Sequence, residues 1–172
     1  MTRRRQGIRW RATNDRGTIT VETAVVTVLL LSIVLGIVEF GNAYSLVHTM
    51  TSLSREGANL AARGTSLEKS VDTVVDNGST IQLGDKGGVV ATRIVVSGGD
   101  PKVVEQFATG GYEGRSRMGD VGEDALGVEN WGLQDGQAVY VMEVFYDYEQ
   151  LTPFGTLVDV AVPEGLYERA VF

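Results

Sequence analysis

Arg16-Gly-Thr-Ile-Thr-Val-Glu-Thr-Ala-Val-Val-Thr-Val-Leu-Leu-Leu-Ser-Ile-Val-Leu-Gly-Ile-Val-Glu-Phe40 is the stretch on which the fold turns. Residues 23–38 within it are apolar or small and carry no charge. Sixteen such residues fall short of the ~20 that a spanning helix needs. Thr18 to Val21 on one side and Phe40 on the other bring the run to length, with Glu22 and Glu39 near the two interfaces. Gly17 stands just before the run, and Glu22 is fifth counting from Thr18. A carboxylate at the edge of a membrane segment is costly, which makes Glu22 a candidate functional residue.

The helical pattern continues past the apolar run. Phe40, Ala43, Val47 and Met50 recur three and four apart, as do Leu46, Met50, Leu53, Gly57 and Leu60. No Pro interrupts residues 18–63, and Gly64 is the natural left-handed stop. A helix of that extent is roughly 70 Å long: residues 18–40 in lipid, residues 41–63 as an amphipathic continuation on a soluble body of residues 64–172. Gly36, Gly41, Ala43, Gly57, Ala58 and Ala61 allow close approach of a second backbone. Helix–helix packing is the favoured use of Gly36, Gly41 and Ala43. Gly57 to Ala61 fit the chain's own sheet equally well.

Charge divides the chain in the same place. The formal net charge is −7. Six Arg against Asp15 give the first 17 residues +5, so the remainder carries −12. A basic tail before a membrane run and an acidic body after it predict the N-terminus in the cytoplasm and the body outside. The acidic body argues against nucleic acid as a partner. There is no Cys to report a redox compartment.

Beyond Gly64 the pattern predicts an α+β plan, a long helix followed by a small antiparallel sheet. Thr65-Ser66-Leu67-Glu68 reads as a capping box before a short helix with Leu67, Val71, Val74 and Val75 on one face. Gly84 to Gly88 is turn chemistry, and Val89 to Ser97 reads as a strand. Lys102 to Ala108 reads as a helical turn, and residues 109–136 as a long Gly-rich loop without a period. Ala138 to Tyr148 is the strongest strand and reads as central, with Tyr140, Met142, Val144, Tyr146 and Tyr148 on one face. Thr152 to Gly155 reads as a turn, Leu157 to Val162 as a strand and Leu166 to Phe172 as the last strand.

Catalysis finds little support. His48 is the single His, and on an anchor helix it reads as a surface or packed residue, so no catalytic residue is expected. Asp120, Glu123, Asp124 and Glu129 lack the alternating ligand spacing of a calcium loop and read as a solvated loop. No phosphate loop, metal site or cofactor is expected.

The arrangement around Gly17 and Glu22 resembles the type IV pilins, in which a basic leader ends in Gly and Glu is fifth in the mature chain. Residues 16–64, with Glu39-Phe40-Gly41 and Arg55-Glu56-Gly57-Ala58, look more specifically like the TadE/TadG-like minor pilins of tight-adherence pili. Thr23 stands where that family usually has Phe, and Thr27 lies near its usual Pro. The resemblance implies removal of residues 1–17 by a prepilin peptidase between Gly17 and Thr18. It also implies other pilin-like subunits, the pilus assembly platform and membrane lipid as partners. After such a cut, a neighbour's Thr18 ammonium could sit against Glu22 in a dry environment, a pair that sets register more than stability. The expected function is thus a non-enzymatic minor pilin or pseudopilin in the cytoplasmic membrane, passing into an adhesive pilus. The alternatives are an uncut membrane-anchored extracytoplasmic binding domain, and a secreted domain cut after Gly41-Asn42-Ala43.

Overall fold

The computed structural model describes residues 15–152 and 165–172. One helix, α1, runs unbroken over Asp15–Ala62, 48 residues, or about 72 Å. Its end is set as the sequence suggests. Gly64 has φ 93, its amide donates to the Ala61 carbonyl at 3.0 Å, and the Thr65 amide donates to the Leu60 carbonyl at 3.2 Å. These paired bonds form a Schellman cap. They also move the next cap by one residue. Thr65 is occupied in closing α1, so Ser66 begins α2 (Leu67–Asn77), and its Oγ accepts from the Lys69 amide at 3.4 Å. The expected box starting at Thr65 does not form.

A 3-10 turn over Gly78–Ile81 and a short helix α3, Leu83–Lys86, lead into the sheet. The sheet has four antiparallel strands in the order β2-β1-β3-β4: β1 Gly87–Ser97, β2 Asp100–Ala108, β3 Ala138–Asp147 and β4 Gly165–Val171. The molecule is α+β, with β3 central as expected. The segment read as a helical turn is instead part of β2. Gly98 and Gly99 have φ 66 and 90, which suits a two-residue hairpin and pairs Ser97 with Asp100. The ladder with β1 outweighs the weak helical preference of Lys102 to Gln106. The strand expected at Leu157–Val162 and the turn at Pro153–Gly155 lie outside the described residues.

Each face of the sheet has its own cover. Helices α1 and α2 bury Ala43, Leu46, Met50, Leu53, Val71 and Val74 against Met142, Val144, Tyr146 and Tyr148. Gly57 faces this core: a Cβ there would stand 2.5 Å from Val74 Cγ2 and 2.7 Å from Met142 Cε. It therefore packs on the chain's own body, which settles the choice the sequence leaves open for it, and buried Ala58 and Ala61 join the same core. The loop of residues 109–137 covers the opposite face, where Met118, Ala125 and Val128 pack on Ile94, Val103, Val139 and Val141. The same loop seals the β2 edge through Val103 N to Glu123 O at 3.0 Å and Gly122 N to Val103 O at 2.8 Å. It has no period, yet it is a packed layer.

The register gives the body two ends. Tyr146 pairs with Gly87 and Asp147 with Gly165 at the end where α1 carries Glu39. The Gly98–Gly99 hairpin stands at the other end, beside Ala138.

Candidate functional site

Three parts of α1 carry the candidate chemistry: its apolar start, its exit from the apolar run and its passage into the core. In the first part every side chain from Gly17 to Leu31 is exposed. Ile19, Val25, Leu29 and Ile33 each show half or more of their surface. The segment is long and apolar enough to cross a membrane, and none of its most apolar window is buried against the body. Gly17 and Thr18 lie in the opening turns of the helix, with open space at the Gly17 Cα. Glu22 is exposed on the same helix, and among the described residues no hydrogen bond or ion pair engages it.

The exit from the run contains a residue whose role the sequence does not reveal. Glu39 is 1 % exposed, on a helix whose preceding turns are bare. Its Oε1 accepts from Tyr148 Oη at 2.7 Å and from the Leu151 amide at 3.0 Å, and its Oε2 accepts from the Thr152 amide at 3.0 Å. Asn42, one turn on, donates from Nδ2 to Tyr148 Oη at 3.4 Å. Buried charge is tolerable only when it is bonded this way. Burial pushes the Tyr148 phenol above its usual range, and the adjacent carboxylate pushes the same way, so at neutral pH it is a donor. The result is a clamp: the end of β3 and the turn after it are tied to α1 at the level where its apolar run stops.

Glu143 is a second buried carboxylate, on the opposite face of β3. It accepts from Ser116 Oγ, from the Arg117 amide at 3.0 Å and from Tyr167 Oη at 2.8 Å. Burial drives the Tyr167 phenol far above its usual range, with Glu143 adding to the effect. Arg117 stacks 3.8 Å from the centroid of the Tyr167 ring. This group pins the covering loop to the sheet and is structural.

The other sequence candidates are dispersed. Gly36 is half-buried and Gly41 exposed, each with open space at its Cα, whereas Ala43 points into the chain's own core. Ala43 is therefore spent on the body and unavailable to a second helix. His48 stacks edge-on against Tyr44 with centroids 4.5 Å apart, and both are exposed. Asp124 stands 3.9 Å from Lys102, and Glu123 accepts weakly from the Asp120 amide. Among the described residues no group of His, Cys, Asp and Glu is gathered to hold a metal. An open cleft of about 400 Å³ lies beside the Glu39 clamp, between Asn42, Thr49, Gln82, Lys86 and Tyr148. Lys86 is already paired there with Glu149 at 2.7 Å.

The fold and these positions define a class: an α+β body carried on one long helix whose exposed apolar start fits a single-pass membrane anchor. Residues 17–59 match the family model described as TadE-like protein. The match begins at Gly17 and takes in the whole apolar run, the Glu39 exit and the first turns packed on the core. The likeness to the TadE-like family is thus confined to this part of the chain. No curated protein and no solved structure matches the chain.

Proposed function

We propose that the chain is a minor pilin or pseudopilin of a tight-adherence pilus, non-enzymatic, inserted in the cytoplasmic membrane with its body outside and cut by a prepilin peptidase between Gly17 and Thr18. The observation that carries this reading is that the TadE-like match, residues 17–59, opens on a stretch of α1 whose side chains are exposed from residue 17 to residue 31 and whose most apolar window has no burial against the body. Glu22 supplies the assembly step. It has no partner among the described residues, and a free Thr18 ammonium on a neighbouring subunit would meet that need in a dry setting. A misplaced subunit would leave both charges unpaired, so the pair selects register.

The mature N-terminus tests processing. Intact mass of the membrane-extracted protein is expected to begin at Thr18, and Gly17→Leu is expected to retain the leader. An end near Met1 would leave an uncut anchor, and an end near Tyr44 a secreted domain. Glu22→Ala tests assembly. It removes an insertion cost on the order of 2–3 kcal/mol at bilayer depth, so insertion and cleavage should persist. Recovery with other pilus subunits should be lost. Wild-type recovery of Glu22→Ala in the assembled fraction would overturn the assembly role.

A further inference from the structure

The Glu39 clamp fixes more than the end of β3. The Leu151 amide bonds the Glu39 carboxylate at 3.0 Å, which places Leu151 where α1 leaves its apolar run. The Leu151 side chain is 63 % exposed. On the outward side of α1, Phe40 and Tyr44 are 49 % and 68 % exposed, continuing the bare stripe that includes Ile37. Tyr44 lies about one turn beyond Phe40, its ring edge-on to His48 with centroids 4.5 Å apart. Phe40, Tyr44 and Leu151 are thus three large exposed side chains within about two helical turns of Glu39.

Length shows what covers them. Between Glu22 and Glu39 lie 16 residues, about 24 Å of helix, against ~30 Å of hydrocarbon. With Glu22 at the inner boundary, the outer boundary falls about four residues beyond Glu39. Glu39 does not oppose this, because its charge is enclosed by protein and faces no lipid. The outward residues at that height are Phe40, Gly41 and Tyr44, and an amphipathic aromatic ring is what an interfacial belt favours.

The geometry points to a membrane-seating surface: Phe40, Tyr44 and the Leu151 turn enter the lipid interface, so that the body rests on the bilayer instead of standing clear of it. The partner is the headgroup–acyl boundary of the lipid in which the run itself is embedded. The inference rests on the anchor reading of residues 18–40 and adds the body's own contact to it.

The chain contains no Cys, so single nitroxide labels report depth without background. The full chain is reconstituted in vesicles of phosphatidylcholine and phosphatidylglycerol, with labels at Val28→Cys, Tyr44→Cys, Leu151→Cys and Ser97→Cys. Relative accessibility to oxygen and to a water-soluble nickel chelate is then read at each site. Val28 lies within the run, and Ser97 is exposed at the far end of the sheet. Labels at 44 and 151 are expected to show an oxygen-to-nickel ratio several-fold above that at 97 and below that at 28. Adding Glu39→Ala should return the 151 label toward the value at 97 while the 28 label stays deep. A 151 label equal to that at 97, with 28 deep, would overturn the seating surface and leave the anchor intact. A 28 label as wet as that at 97 would overturn both.

Discussion

Glu39 and Glu22 are the same residue type on one helix, put to opposite uses. Glu22 has no partner among the described residues, and Glu39 has three donors within 3.0 Å. Removing the Glu39 carboxylate leaves two amides and a phenol short of an acceptor, at a cost of ~1–3 kcal/mol for each group that stays buried. Glu39→Ala is therefore expected to lower stability by about 2–4 kcal/mol in denaturant unfolding. Tyr148→Phe, which spares the two amide bonds, should cost about 1.5–3 kcal/mol. Equal stability of Glu39→Ala and the wild type would show that the clamp does not hold the junction. The sequence places Glu39 only as a charge at an interface, because its partners lie 109 to 113 residues away along the chain. Gly17, Thr18 and Glu22 can be put forward as candidates from sequence for the opposite reason: their pattern is local and linear.

At the scale of elements, the long helix and the central strand are readable because each carries a strong pattern. Helix α1 is an apolar run over residues 23–38 followed by a 3.6-residue repeat from Phe40 to the Gly64 stop, and β3 alternates inward and outward. Strand β2 was not readable, since Lys102 to Gln106 has no strong period of its own and is recruited by pairing. The covering loop escaped for a related reason. Its apolar residues Met118, Ala125, Val128 and Trp131 are spaced by the shape of the sheet beneath them, not by a repeat. The small residues of α1 give a direct comparison. Gly41 has open space, so Gly41→Ala should gain up to ~1 kcal/mol of helix propensity. At Gly57 the same change meets the stiff Val74 side chain at 2.5 Å, and overpacking costs about 1–3 kcal/mol. Thermal unfolding should thus move in opposite directions for the two variants. A destabilised Gly41→Ala would mean that its surroundings are less open than described.

For the whole molecule, α1 is both a helix that fits a membrane anchor and one wall of the core. Leu46, Met50 and Leu53 are almost fully buried, and each contributes about 1.5–3 kcal/mol by leaving water. Their sum rivals the ~5–15 kcal/mol that stabilises a typical domain. A chain beginning at Ile37, which keeps Glu39, should melt cooperatively, and one beginning at Gly64 should not. Equal melting of the two would separate the wall from the core. One further consequence follows from the unbroken run of α1 from Asp15 to Ala62. A continuous helix behaves as a shaft: each residue advances it ~1.5 Å and turns it ~100°. Because the body is gripped from Glu39 onward, the azimuth at which Glu22 faces its surroundings is geared to the azimuth of the sheet. Losing a single residue from the apolar run would swing the carboxylate about a quarter turn or more relative to the body. Exchanging one aliphatic side chain there for another would leave that phase untouched. The count of residues between the two carboxylates is therefore a tighter constraint on this chain than their identity.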